Sequence, residues 1–343
     1  MKVLKYHTND TPAQQAEAWQ QLRQQHYDVL HICGCWHRQA WQMARYALKR
    51  GTRLVFSPEG QLEPWVVDEG YWKEKLPKKL LYQRWIVKQA YAVIIQGKME
   101  EECMKRLGWN PRLVIIRNPQ ITSTITVQEA QRQLEVVYRK VMDSNTLELM
   151  SDDMRRMLRT LLLMGITGDK RWLDGDVTTL EPEQWRQLMC YAHQEHLTDT
   201  IKKGIRVLGL DSPDIDAAQI DFFVPEGFEE YQSISSAIGS SFVSENDRLM
   251  ATFRYLRKQA VHHRLTIAHL VELDKELRFH DAEEDRLCDD LEERRLWKFA
   301  ARLMQLMSEL TGLTEGFMLM PPLNDRLTRR LRRQIDNRLK INN

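Results

Sequence analysis

The sequence predicts an α/β domain followed by an all-α region, on three observations. Five short β-branched runs alternate with helical segments up to about residue 119. From Thr126 the apolar spacing is helical almost to the end, and the only later strand-like pieces, IRVLGL and IDFFV, are short. Parallel neighbours need helical crossovers, so the first part reads as a doubly wound, five-stranded, Rossmann-like parallel sheet. A chain of 343 residues exceeds what one core usually supports. The break is expected near residues 120–126, giving a Rossmann-like domain over 1–122 and a helical domain over 123–343.

MKVLKY is the first strand; Thr11 then caps a helix with Pro12 at its first position. DVLHIC is the second strand, WHRQAWQMARYALKRG a helix closed by Gly51, and TRLVFS the third strand. After a loop and a helix around LPKKLLYQRWIVKQA come the strand AVIIQ, the helix GKMEEECMKRLG and the strand RLVIIRN. The capping box TVQE opens the first helix of the second part, running through LEVVYRKVM. The later segments are amphipathic; in DRLCDDLEERRLWKFAARLMQLMSEL, Leu287, Leu291, Phe299, Leu303, Leu306 and Leu310 mark one face.

The composition, 43% hydrophobic and 29% charged, is that of a folded globular chain, with no apolar run of about 18 residues and no signal-like N-terminus. Five scattered cysteines fit free thiols in a reducing compartment rather than a disulfide framework, so a cytoplasmic location is expected. The net charge of +2 hides an asymmetry: residues 1–130 hold 19 Lys and Arg against 12 Asp and Glu, so +7 there leaves −5 for the remainder. A basic first domain suits anionic ligands. The final basic segment spaces Leu327, Leu331, Ile335 and Leu339 four apart, an amphipathic helix suited to docking on its own chain or lying on the inner face of a membrane. Docking or plain solvation is the expectation, because the helix lacks the bulky aromatic face of a membrane anchor.

HICGCWH, residues 31–37, alternates His31, Cys33, Cys35 and His37. Ligands two apart along a strand lie about 7 Å apart, too far to share one ion, so no metal is expected there. A redox role for Cys33 and Cys35 is weaker still, since oxidoreductase pairs have two intervening residues. Gly34 is more informative, terminating a buried strand where the chain must turn closely. Similar endings follow the third strand, in SPEGQLEPW, and the fifth, at RNP; strand ends of this kind converge on one edge of a parallel sheet, where ligands bind. Cys190, His193 and His196 drift around their helix, His262, His263 and His269 read as surface or core-edge residues, and the acidic stretch HDAEEDRLCDDLEE reads as a solvated helix start. No nucleic-acid-binding module accompanies the arginine-rich C-terminus.

The order DVLHICGCW, LVFSPEGQLEPWVV, a lysine-bearing helix, QGKMEEECMKRLG and RLVIIRNP resembles the N-terminal, acceptor-side domain of family 4 glycosyltransferases of the two-Rossmann-domain GT-B fold, over about residues 1–120. The resemblance implies acceptor or ligand contacts for His31, Gly34, Trp36, Ser57, Gly60, Trp65, Lys73, Lys75, Glu100 and Asn118. Glu59 stands where the family places a histidine near the transferred sugar, which makes it the candidate catalytic residue. Cys33 replaces the second histidine of the strand end, and Arg117-Asn118-Pro119 lacks the usual glycine after the asparagine. The family's donor-side domain has no counterpart: PEGF, at residues 225–228, suggests its glutamate signature, but the residue eight after Glu226 is Ile234.

By resemblance the function is transfer of a sugar from a nucleotide-sugar to a glycan or lipid-linked acceptor in bacterial polysaccharide biosynthesis, with no further cofactor. Such transfer rests on positioning and on electrostatic stabilisation of the departing diphosphate. The alternative is an inactive relic that binds a glycan or a protein, with a helical association domain. A protein partner or second copy would then meet the helical part.

Overall fold

Strand β1 (Val3–His7) opens the chain and α1 (Pro12–Gln24) follows, its first turn closed by a capping box between Thr11 and Gln14. The structure, a computed structural model, describes residues 1–63, 75–120, 124–173, 175, 177 and 179–341. The order continues as β2 (Val29–Cys33), α2 (Arg38–Lys49) and β3 (Arg53–Ser57). A turn at Leu76–Lys78 and a π-helical stretch at Lys79–Gln83 then lead into α3 (Arg84–Gln89), followed by β4 (Ala92–Ile95), α4 (Lys98–Leu107) and β5 (Leu113–Ile115). All neighbours pair in parallel, in the order β1-β2-β3-β4-β5.

That order has a physical consequence. Right-handed crossovers that always step in the same direction place their helices on one face. Leu30, Ile32, Leu54, Phe56, Val93 and Ile95 point to that face and pack with Leu22, Ala40, Met43, Ala44, Ile86 and Met104. The expected helical cover on both faces is present, but the second face is covered from outside the crossovers, by α5 (Val127–Asp143), capped at Thr126. Tyr138 of α5 reaches His31 at 2.7 Å.

The first compact unit therefore runs past the expected break, over Met1–Glu148, and takes in Ile220–Glu226 and the stretch beginning at Lys340. The buried guanidinium of Arg53 donates to the Asn145 carbonyl at 2.9 Å and lies 4.0 Å from the Tyr91 ring centre, while the Tyr91 hydroxyl donates to Glu148 at 2.6 Å. Lys140 pairs with Asp221 at 2.9 Å, and the Phe223 N–H donates to the Ser144 hydroxyl at 2.8 Å. These contacts bind the α5 segment to the sheet, so a break at 122 would strip one face of the β-layer.

The second unit, Leu149–Gln219 with Gly227–Leu339, is helical. It contains α6 (Asp152–Thr167), α7 (Pro182–Gln194), α8 (Thr198–Leu208), α9 (Ile234–Ile238), α10 (Glu245–Val261), α11 (Ile267–Phe279), α12 (Glu284–Glu293), α13 (Trp297–Leu310) and α14 (Arg326–Asp336). IRVLGL, read as strand-like, lies mostly in α8, and IDFFV forms no strand. Gly165 of α6 and Gly204 of α8 meet the opposite backbone: added Cβ atoms would lie 2.0 Å from the Thr200 carbonyl oxygen and 2.2 Å from that of Leu161. Of docking and plain solvation, the basic C-terminal helix docks. Leu331, Ile335 and Leu339 are buried, while Leu327 stays exposed. His269 is buried, not at the surface, because its ring completes a capping box with Thr266 and reaches the Gln232 carbonyl at 3.1 Å. No helix of the described residues is long and apolar enough to cross a membrane.

Candidate functional site

Register builds the site. Lys5 pairs with His31 and His31 with Val55; two residues on, His7 pairs with Cys33 and Cys33 with Ser57. Alternation along parallel strands sends both rows to the α5 face. Their carboxyl ends open into a pocket of about 310 Å³, lined by Lys5, His31, Cys33, Ser57, Glu59, Gln96, Arg117 and Asn118, with Val127, Ala130, Gln131 and Leu134 of α5 as one wall.

The loop after β3 is the most constrained part. Glu59 has φ of 53° and Gly60 of 76°. Left-handed backbone costs a residue with a Cβ, and such strain persists only where surrounding bonds hold it. Here Glu100 supplies them: its buried carboxylate accepts the Gly60 N–H and the Gln96 N–H, each at 2.7 Å. Glu100 is thus a positioning residue that ties the β3 and β4 ends together. Burial, with nearby Glu100 and Asp10, raises the Glu59 carboxyl above its usual range against the opposing pull of His7. A carboxylate with raised affinity for a proton is suited to accepting one.

His31 is held between two hydroxyls, with Nδ1 at 2.7 Å from Tyr138 and Nε2 at 2.7 Å from Ser57. Burial, reinforced by Lys5 and His7, lowers it to about 3, so it is a neutral, fixed element of the pocket floor. Ser57 shares that bond and lines the cavity. Burial raises the Cys33 thiol to about 12, with Glu59 adding to the shift.

The other expected contacts divide. Gly34, at φ of 90°, donates its N–H to the Ser57 carbonyl at 2.8 Å, and a Cβ there would lie 1.9 Å from the Thr8 hydroxyl oxygen. It is required by close packing. Trp36 is scaffold as well: its N–H donates to Gln83 at 2.8 Å, its indole N–H to the Gln61 carbonyl at 3.2 Å, and its carbonyl accepts from Tyr82 at 2.8 Å. Asn118 lines the pocket and accepts the Gln120 N–H at 2.9 Å. Lys75 begins the turn before α3 and is not among the pocket-lining residues. Trp65 and Lys73 lie outside the described residues.

Lys5, Gln96 and Gln131 were not expected in the site. Lys5 had a local signal, sharing the facing of His7 in the alternation of VLKYH. Gln131 had none, because only the fold of α5 over the sheet brings it there.

Residues 5–119 match the family model described as a glycosyl transferase 4-like domain. The match spans about a third of the 343 residues and takes in four whole strands, most of β1 and the Glu59 loop. The α5 wall lies outside it. No curated protein and no solved structure matches the chain.

Proposed function

We propose that the glycosyl transferase 4-like domain holds a saccharide acceptor in the pocket at the strand ends and serves transfer of a sugar from a nucleotide-sugar. Glu59 accepts the proton of the acceptor hydroxyl as that oxygen bonds to the anomeric carbon; the bond from that carbon to the donor phosphate breaks and the diphosphate leaves. The observation that carries the reading is Glu59, on a constrained loop, lining a cavity whose Gln96, Asn118 and Gln131 amides can donate and accept hydrogen bonds as sugar hydroxyls require. Lys5 and Arg117 on the same cavity favour an anionic saccharide or lipid-linked phosphate.

A second reading, saccharide binding without transfer, is favoured by one observation. Among the described residues the second unit consists of helices and loops, with no second parallel sheet. The test is release of nucleoside diphosphate over a panel of nucleotide-sugars and saccharide acceptors, beside calorimetric titration of the same saccharides. Glu59→Gln is expected to lower transfer about 100-fold or more while retaining saccharide affinity. Saccharide binding without diphosphate release across the panel supports the second reading, and no saccharide binding at all overturns both.

A further inference from the structure

Outside any one strand, three ligating atoms meet at the mouth of this pocket. His7 ends β1, Cys33 ends β2 and Glu59 opens the loop after β3; one nitrogen, the sulfur and one carboxylate oxygen all lie within 4.8 Å of one another. The His7 Nδ1 to Glu59 Oε1 distance is 3.8 Å. We propose that His7, Cys33 and Glu59 bind one zinc-like divalent cation. This goes beyond the saccharide reading and engages the same Glu59.

The objection to a metal in HICGCWH concerns spacing along one strand, about 7 Å between alternate residues. Across neighbouring parallel strands the spacing is about 4.8 Å, and Cys33 is the register partner of His7. Tetrahedral zinc, with bonds of about 2.0–2.2 Å to nitrogen and oxygen and about 2.3 Å to sulfur, separates its nitrogen and oxygen ligands by about 3.3–3.5 Å and holds sulfur about 3.6 Å from either. The His7–Glu59 separation of 3.8 Å lies within about 0.5 Å of that distance, and the other pairs, all within 4.8 Å, close to theirs by side-chain movements of about 1 Å.

The donor types agree with the cation. Thiolate and imidazole select a borderline-soft ion over magnesium or calcium, and a carboxylate completes a three-protein-ligand set of the kind that leaves a fourth position open. On binding, the Cys33 thiol proton passes to water as Sγ bonds the metal. One thiolate and one carboxylate then balance the two positive charges. The left-handed backbone at Glu59, next to the Gly60 N–H that Glu100 holds, sets the loop from which the carboxylate reaches His7. His7 and Glu59 are both part-exposed, giving the ion an entry path, while Cys33 is buried at the base.

The test is titration of the full chain, after chelation and under reducing conditions, with zinc by calorimetry and with cobalt by absorption. The expected result is one site and a thiolate-to-cobalt charge-transfer band. Cys33→Ser should abolish the band and weaken zinc at least tenfold. His7→Ala, at a part-exposed strand end that tolerates truncation, should weaken zinc at least tenfold even if Cys33→Ser misfolds. A band that survives Cys33→Ser but disappears in Cys288→Ser, or zinc affinity unchanged by His7→Ala, overturns the site. Saccharide binding and transfer, measured on the chelated chain, separate the two readings: either can fail while the other holds. If both hold, added zinc suppresses transfer, because the metal occupies the carboxylate that takes the proton.

Discussion

At the residue scale, one residue's neighbourhood repeatedly outweighs its type. Gly34 and Glu59 both adopt left-handed backbone, yet only the glycine is demanded by space. Gly34→Ala is expected to lower stability by about 1–3 kcal/mol in urea unfolding, and Thr8→Ala in the same background should recover the part due to contact. His269 offers a second check. Its folded value is lowered to about 4 by burial, below the ordinary value of about 6.5. Between these values the unfolded chain binds the proton more readily than the native one, so its contribution is complete above about pH 6.5 and is lost on acidification toward pH 4. The loss amounts to about 3 kcal/mol if the shift is fully expressed. A pH series of unfolding midpoints should show this slope, and His269→Gln should remove its share while leaving the part that buried His31 contributes over the same range.

At the element scale, helices and strands were largely legible because their signals are local. Thr11 with Pro12, Thr126 with Glu129 and the left-handed Gly108 mark helix ends by capping chemistry that acts over one turn. Pairing of elements was less legible. Nothing local to Gly165 or Gly204 marks what they face, and α6 and α8 approach through them. Gly204→Ala should destabilise the second unit by about 1–3 kcal/mol in chemical denaturation, more than an alanine at Gly316, whose backbone is not left-handed and where added bulk meets nothing within 4 Å. The basic helix α14 gives the converse case, its apolar spacing announcing burial correctly. Leu331→Ala should cost about 2–5 kcal/mol, read as a lowered midpoint of thermal unfolding.

At the scale of the whole molecule, the break between units moved because an amphipathic helix shows that it has an apolar face but not what that face covers. A fragment of residues 1–122 lacks α5 and exposes the Val29, Val55 and Ala92 side of the sheet; it should bind hydrophobic dye and unfold without cooperativity, unlike a fragment of residues 1–148. The sequence by itself determined the five parallel strands, the helical second part, the amphipathic C-terminal helix and the edge on which the pocket opens, because periodicity, caps and turn glycines are set by near neighbours. Only the tertiary structure decided that the crossovers share one face, that α5 walls the pocket, that Trp36 and Glu100 brace it, and that His7, Cys33 and Glu59 converge. The reason is distance along the chain: His7 and Glu59 are separated by two strands and two helices, and the register of a parallel sheet, which no local pattern encodes, brings them to within 3.8 Å.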